Sequence, residues 1–288
     1  MPISLLALDL DGTLLNSRGV ISNRNRQALK AARARGVRVA LVTGRRFRDA
    51  RPLALELGLD VPLIAHNGAL TKHASTLETV AVMPLPLAAA HRALKIGRAA
   101  GADPLVSDDH EGLGVLVYDH LSGDNQPLIQ YIAWARRIHG EDGQESVCQV
   151  DSIEEYLDHP PVHLAFSGGC SQMDELETKL RMELGETVKI FCTTYRKKDF
   201  TLIDIVNPAA SKGAGVAAAA AELEVTRKEV MAIGDNLNDL EMLSYAGIGV
   251  IMENAEPRLH ELDGLYKTTA NDDDGVAVAI ERFILSEL

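Results

Sequence analysis

LLALDLDGT, residues 5–13, is an apolar run that ends in two aspartates separated by one position. A short apolar run closed by polar residues and a glycine is typical of a buried strand at the point where it leaves a sheet. Ser22 can cap a helix that follows, and Gly36 gives that helix a stop. The next apolar run, 37–42, predicts a second strand, so the chain opens as strand, helix, strand.

The alternation of helices and strands continues near both ends of the chain. The sequence predicts a helix over 47–57, a strand over 62–65 closed by the turn dipeptide Asn67-Gly68, a helix over 214–223, a strand over 230–233, a helix from Asp239 and a strand over 247–252. Uninterrupted apolar strands that alternate with helices indicate a parallel sheet covered by helices on both faces. The sequence therefore predicts an α/β fold.

The middle of the chain has a different pattern. Predicted strands at 114–118 and 162–166 stand among longer polar stretches and prolines, which favours an inserted α+β domain. Pro84 and Pro86 mark one boundary of the insert, and the basic triplet Arg196-Lys197-Lys198 lies near the other. We assign residues 1–83 and 199–288 to the core and residues 84–198 to the insert.

Composition limits the class of partner. The chain has 29 basic and 41 acidic residues, a net charge of −12, and no long basic run. Binding to a phosphate backbone needs clustered cations, so we expect no nucleic-acid partner. A small anionic substrate remains compatible with this charge, because a cationic pocket can lie within an acidic surface.

Three widely separated cysteines, with no zinc-ligand spacing, are predicted to be reduced thiols. The first fifteen residues lack a basic leader, and no apolar run reaches the length that spans a membrane. We therefore expect no membrane association and a cytoplasmic location. Nothing in the sequence predicts the oligomeric state.

Acidic residues follow two of the predicted core strands. Asp9 ends the first strand, with Asp11 two residues on, and Asp235 and Asp239 follow the strand at 230–233. Ligands bind at the carboxyl ends of parallel strands, so these carboxylates should converge. Crowded carboxylates stay ionised only with a compensating cation, and hard oxygen donors favour Mg²⁺. We expect Asp9, Asp235 and the Asp11 carbonyl as ligands, while Asp239 either contacts the ion, caps its helix or orients Lys212.

The same region offers hydrogen-bond donors for a phosphoryl group. The Thr43 hydroxyl, the Gly44 amide, the Lys212 ammonium and the Asn238 amide could surround its oxygens. Asp9 is then the expected nucleophile.

Asp11 would protonate the leaving oxygen and afterwards deprotonate a water molecule. Arg45 is either a solvated residue at a helix start or a substrate contact. Asn67 either forms a simple turn with Gly68 or contacts substrate or a hinge. The triplet at 196–198 is either solvated surface or a site for a second anionic group of the substrate.

Six segments carry a resemblance to a known family. They are Leu8-Asp9-Leu10-Asp11-Gly12-Thr13-Leu14, Thr43-Gly44-Arg45, Ser211-Lys212-Gly213, Gly234-Asp235-Asn236-Leu237-Asn238-Asp239, Ala65-His66-Asn67-Gly68-Ala69 and Asn271-Asp272-Asp273-Asp274-Gly275-Val276. The first four resemble, in order, the motifs of the haloacid dehalogenase-like (HAD) hydrolases. The last two are similar to signatures of its Cof-type branch (subfamily IIB).

This resemblance implies a Rossmann-like, doubly wound parallel core with an α+β cap domain inserted between the second and third motifs. It also implies a magnesium-dependent phosphatase of small phosphorylated metabolites, most often sugar phosphates, with specificity set by the cap. Two positions depart from the family pattern. Asp204 stands where a glutamate is usual, and Ala270 precedes Asn271 where a threonine is more usual.

Two other functions share part of this chemistry. A sugar phosphomutase or phosphotransferase would use the same aspartyl phosphate but pass the phosphoryl group to a hydroxyl. A non-catalytic receiver-like module would accept the phosphoryl group as a signal. Asp11 and an insert of about a hundred residues argue against the receiver, because it needs neither a second carboxylate nor a cap.

Overall fold

The computed structural model describes residues 2–108, 112–138 and 146–286, which form two compact units. The first unit comprises Met1–Ala81 and Ser211–Leu288, and the second is the continuous segment Val82–Ala210. Residues 199–210, expected in the core, therefore group with the second unit. The triplet Arg196–Lys198 forms a turn between two strands of that unit and lies away from its boundary.

The first unit is built on an eight-stranded sheet in the order β14-β13-β12-β1-β2-β3-β4-β5. Its strands are β1 (Leu5–Asp9), β2 (Arg38–Val42), β3 (Pro62–Ala65), β4 (Leu70–His73), β5 (Thr79–Val82), β12 (Val230–Gly234), β13 (Ile248–Ile251) and β14 (Tyr266–Lys267). Its helices are α1 (Asn23–Ala34), α2 (Phe47–Glu56), α7 (Lys212–Glu222), α8 (Leu240–Tyr245) and α9 (Gly275–Ile280). Pairing is parallel from β14 through β3.

Strand β1 lies inside the parallel part of this sheet. All five of its residues are buried, so both faces of the strand are covered. Leu5 and Ala7 pack on one face in a core shared with Val216 of α7 and Met242 of α8. Leu6 and Leu8 alternate onto the opposite face. This arrangement confirms the doubly wound α/β core.

Strand β4 is an addition that the sequence did not predict, and it pairs antiparallel with β3. Residues 66–68 between the two strands all have positive φ, which reverses the chain within three residues. At Gly68, φ is +89°, and a Cβ would lie 1.9 Å from the carbonyl oxygen of Ser211. Only glycine combines a positive φ with room for so close a neighbour. The glycine therefore lets the turn lie directly against Ser211, the residue that precedes α7.

The second unit contains a six-stranded sheet in the order β10-β11-β9-β6-β7-β8. Its strands are β6 (Asp103–Asp108), β7 (Val115–Tyr118), β8 (Val147–Gln149), β9 (His163–Gly168), β10 (Lys189–Tyr195) and β11 (Phe200–Val206). Its helices are α3 (Leu87–Ala99), α4 (Gln126–Ile138), α5 (Ile153–Tyr156) and α6 (Cys170–Leu184). The sheet is mainly antiparallel, with β7 and β8 parallel, so the predicted α+β insert is confirmed.

Asp204, one of the two departures from the family pattern, lies on β11 of this second unit. It is buried, and its Oδ1 is 2.9 Å from Nε2 of the buried His163. The carboxylate therefore serves as the partner of a histidine inside this unit.

Within the described ranges, no helix is both long enough and apolar enough to cross a membrane.

Candidate active site

Three neighbouring strands of the first unit bring polar residues to one edge of the sheet. β12, β1 and β2 are adjacent, with Leu8 paired to Ile233 and Asp9 paired to Val42. Asp235, Asp9 and Thr43 therefore stand at or just after the carboxyl ends of adjacent parallel strands. The strand register alone explains why residues distant in sequence meet here.

Lys212 lies at the centre of a buried ionic cluster. Its Nζ is 2.6 Å from Oδ1 of Asp9 and 2.5 Å from Oδ1 of Asp239. Its exposed fraction is 2%, and that of Asp239 is 0%. Ser211 caps α7 by accepting a hydrogen bond from the Ala214 amide at 3.0 Å, which places Lys212 on the first turn of the helix.

Carboxylate oxygens of Asp9, Asp235 and Asp239 lie within 4.8 Å of one another. Both oxygens of Asp239 are already engaged, since Oδ1 accepts from Lys212 and Oδ2 accepts from the amides of Asp235 and Asn236, each at 2.9 Å. Of the two roles left open for Asp239, this geometry favours orienting Lys212 and fixing the turn after β12. Asp9 and Asp235 remain the better candidates for a metal.

Thr13 belongs to the same cluster, although sequence reasoning gave it no role. It is fully buried, and its Oγ1 donates to Oδ1 of Asp235 at 3.0 Å. Gly12 next to it has φ of +85°, and a Cβ there would lie 2.3 Å from Oδ2 of Asp235. The Gly-Thr pair after Asp11 thus lets the turn approach Asp235 closely and bond to it.

Burial and mutual repulsion shift the pKa values of the carboxyl groups upward. Burial raises the pKa of Asp9 well above its ordinary value, and although Lys212 opposes that rise, Asp239 and Asp235 add to it. Burial, assisted by Asp239, raises the pKa of Asp235 to about 6. For Lys212, burial acts to lower the pKa, but Asp239 and Asp9 outweigh it, so its pKa is raised. The cluster therefore has an excess of negative charge that a divalent cation would relieve.

Asp235 leads to a prediction about stability in the metal-free protein. Its pKa is about 6 in the folded state against 3.8 ordinarily. Between these values the folded state binds more protons than the unfolded state, so the free energy of unfolding falls as pH rises and then levels off above the folded pKa. We expect Asp235→Asn to remove this fall and to gain up to about 3 kcal/mol over the wild type across that range.

Urea unfolding with a chelator between pH 4 and pH 7 measures the difference, and Asp60→Asn, at an exposed aspartate, is the matched control. Parallel pH profiles for the wild type and Asp235→Asn would contradict the expectation.

A second group of predicted residues is joined through Asn67. Nδ2 of Asn238 donates to Oδ1 of Asn67 at 2.9 Å, and the backbone N–H of Asn67 donates to the Thr43 carbonyl at 3.1 Å. A Cβ at Gly44 would lie 3.1 Å from Oδ1 of Asn67. Asn67 is buried with φ of 54°, so it forms the expected turn and also links the strand exits at Thr43 and Asn238.

Asp11 and Arg45 form a bidentate ion pair. Nε of Arg45 is 2.8 Å from Oδ2 of Asp11, and Nη2 is 2.6 Å from Oδ1. The Asp11 side chain is exposed and lies outside the cluster of Asp9, Asp235 and Asp239. The guanidinium of Arg45 is therefore bound to Asp11, the candidate acid–base residue. Neither of the two roles expected for Arg45, a solvated residue or a direct substrate contact, describes this ion pair.

Comparison with known proteins identifies similar chains along nearly the whole length. Residues 6–280 match the model of the haloacid dehalogenase-like hydrolases. A Bacillus subtilis (strain 168) 5-amino-6-(5-phospho-D-ribitylamino)uracil phosphatase is 29% identical, covering 98% of this chain and 96% of its own. The pyridoxal phosphate phosphatase of Escherichia coli (strain K12) is 28% identical, covering 100% of both. A crystal structure of a haloacid dehalogenase-like hydrolase from Bacteroides thetaiotaomicron is 28% identical with a TM-score of 0.79, covering 97% of this chain and 99% of that one.

A Rossmann-like core with acidic residues at adjacent strand exits defines a haloacid dehalogenase-like hydrolase, and the chain belongs to this family. Within the family, its resemblance to the Cof-type branch is confirmed. The relatives described above are named phosphatases, and the prediction of a phosphoric monoester hydrolase is confirmed at this level.

Proposed function

We propose that this protein is a magnesium-dependent phosphatase that hydrolyses small phosphorylated metabolites, sugar phosphates foremost. The observation that supports it most strongly is Lys212, buried between Asp9 and Asp239, with the Asp235 carboxylate in the same cluster. The two relatives named above act on a phosphorylated ribityl compound and on pyridoxal phosphate. Both names describe small phosphate esters, which agrees with the proposed substrate class.

The donor set fits a hard divalent cation. We assign the carboxylates of Asp9 and Asp235 and the backbone carbonyl of Asp11 as ligands, because the pKa values of both carboxyl groups are raised and a cation would offset that cost. Asp239 is assigned to holding Lys212, since its oxygens are already occupied. When bound, Mg²⁺ would neutralise the cluster and polarise a phosphoryl oxygen.

In the first step, an Asp9 carboxylate oxygen attacks phosphorus while the bond from phosphorus to the leaving oxygen breaks. Lys212 donates to Asp9 and stabilises its ionised form. The Thr43 hydroxyl, the Gly44 amide and the Asn238 amide are assigned to the phosphoryl oxygens. Asp11 gives its proton to the leaving oxygen, so the alcohol departs neutral.

In the second step, Asp11 accepts a proton from a water molecule whose oxygen attacks phosphorus. The bond between phosphorus and the Asp9 oxygen breaks, which releases inorganic phosphate and restores the carboxylate. The bidentate ion pair with Arg45 holds the Asp11 carboxyl group in place beside the site.

The proposal is tested by measuring phosphate release from a panel of sugar phosphates, nucleotides and cofactor phosphates. We expect release that needs no acceptor, depends on Mg²⁺, stops with a chelator and has its highest kcat/KM on sugar phosphates. Conversion of one sugar phosphate isomer to another, dependent on a bisphosphorylated activator, would instead indicate a phosphomutase. No release from any member of the panel would refute the phosphatase.

Asp11→Asn tests the acid–base role within this mechanism. We expect kcat on sugar phosphates to fall by about 10²- to 10³-fold, while KM stays within a few-fold of the wild type, because substrate binding does not need the Asp11 proton. Steady-state kinetics measure both constants. Unchanged kcat would refute the role assigned to Asp11.

A further inference from the structure

The Cof-type signature at 271–276 has no part in the reaction just described, yet it contacts the turn that follows β1. Nδ2 of Asn271 donates to the Leu15 carbonyl at 2.9 Å. Oδ1 of Asp272 accepts from the Ser17 amide at 2.8 Å. These contacts join positions more than 250 residues apart in sequence.

Asn254, after β13, extends the contact to the other side of the same turn. Its Nδ2 donates to the Gly12 carbonyl at 2.8 Å, and its Oδ1 accepts from the Asn271 amide at 2.9 Å. The side-chain amides of Asn254 and Asn271 therefore bind the carbonyls of Gly12 and Leu15, and the two asparagines are also bonded to each other. We call this pair, Asn254 and Asn271, the clasp.

The loop that presents Asn271 has a fixed shape. A Cβ at Gly275 would lie 2.1 Å from the Thr269 carbonyl, so only glycine lets the loop close there. Oγ1 of Thr269 donates to the Asp273 carbonyl at 3.0 Å, which braces the loop even though Ala270 replaces the usual threonine. The clasp thus extends from a rigid support.

The turn between the two held carbonyls lies beside the reacting groups. Its amides at Leu14 and Leu15 donate to the carbonyls of Asp9 and Leu10 at 3.3 and 2.9 Å. Asp11 directly precedes this turn, and its exposed side chain reaches the guanidinium of Arg45. The backbone position of Asp11 therefore sets, together with the ion pair to Arg45, where the carboxyl group lies.

We infer that the clasp is a positioning device for Asp11, the acid–base residue of the proposed phosphatase, on which this inference rests. Fixing the Gly12 and Leu15 carbonyls fixes the peptide planes on the carboxyl side of Asp11. Without these bonds the turn keeps its internal hydrogen bonds and the bond from Thr13 to Asp235, but its Gly12 and Leu15 carbonyls are no longer held. A displacement of about 1 Å in a reacting group can cost roughly 10²-fold in rate.

Asn254→Asp and Asn271→Asp test the inference, because each replaces an amide donor by an oxygen of the same size that cannot donate to the carbonyl. The readout is kcat/KM on an alkyl phosphate, whose leaving group needs a proton, and on p-nitrophenyl phosphate, whose leaving group does not. This constant covers only steps up to departure of the leaving group. We expect a loss of about 10-fold on the alkyl ester and under about 2-fold on the nitrophenyl ester.

Asp273→Asn, an exposed position in the same loop outside the clasp, is the matched control and should leave both constants unchanged. Asn254→Ala removes the donor without adding charge and should show the same selective loss, which covers the case that the aspartate variants fail to fold. Equal losses on both esters, or no loss on either, would overturn the inference.

The experiments distinguish a failure of the proposed function from a failure of the clasp. If the wild type releases no phosphate from either ester, the phosphatase itself is refuted. If Asp11→Asn shows the selective loss but the clasp variants do not, only the clasp is refuted. If Asp11→Asn lacks the selective loss, both the role of Asp11 and the clasp that serves it are overturned.

Discussion

Asp9→Asn is expected to lower phosphate release by about 10⁴-fold or more, to the limit of a sensitive assay. The amide is a far weaker nucleophile than the carboxylate, so the covalent ester does not form. The side chain keeps its size and can still accept the hydrogen bond from Lys212, which lies 2.6 Å from Oδ1 in the wild type. The variant should therefore fold normally.

Two measurements separate this expectation from a general loss of structure. Acid quenching during turnover should trap labelled phosphoryl on the wild type and on the exposed-site control Asp60→Asn, but none on Asp9→Asn. Thermal unfolding of metal-free Asp9→Asn should show no loss of stability at neutral pH, because the substitution removes one of the crowded carboxylates. Labelled phosphoryl on Asp9→Asn would place the nucleophile elsewhere.

Lys212→Met is expected to lower kcat/KM by at least about 10³-fold and also to destabilise the metal-free protein. Lys212 is the buried cation between Asp9 and Asp239, and methionine fills its volume without charge. Removing one partner of a buried ion pair leaves uncompensated charge, which typically costs about 3–5 kcal/mol. The two effects together distinguish Lys212 from a residue that only contacts substrate.

A double variant tests whether the Asp239 carboxylate causes the loss of stability in Lys212→Met. Lys212→Met with Asp239→Asn should recover part of the lost free energy of unfolding, measured with urea, but none of the activity. Lys30→Met, on the exposed face of α1, is the matched control and should change neither quantity. Full stability in Lys212→Met at neutral pH would contradict the charge balance described for the cluster.

The parallel core could be predicted because its strands are apolar without interruption. Leu5–Asp9 and Val230–Gly234 are buried at every residue, so their sequences need no alternation to identify them. β4 lacked this signal, since its LTKH sequence includes Lys72, which is fully buried. Antiparallel pairing of β4 with β3 depends on the positive φ values at 66–68, and the last of these residues, Gly68, packs closely against Ser211.

The meeting of Asp9, Asp235 and Lys212 could be predicted because strand ends and motif order determine it. The partners of side chains on the turns could not be predicted in the same way. Arg45 binds Asp11 and Thr13 binds Asp235 because of where the turn after β1 directs them, which no local pattern specifies. Asn254 gave no signal at all, since a single asparagine after a strand is ordinary in a turn.

The 203 positions between Asp9 and Lys212 have a consequence for the newly made chain. At about 5–20 residues per second, a ribosome needs roughly 10–40 s to travel that distance. The segment Val82–Ala210 is synthesised in that interval. During it β1 can pair with β2 on one side, but β12, its neighbour on the other side, has not yet been made. Five of the eight strands of this sheet are thus made before β12 can cover the edge at β1, and this is the period in which a chaperone would protect the chain most.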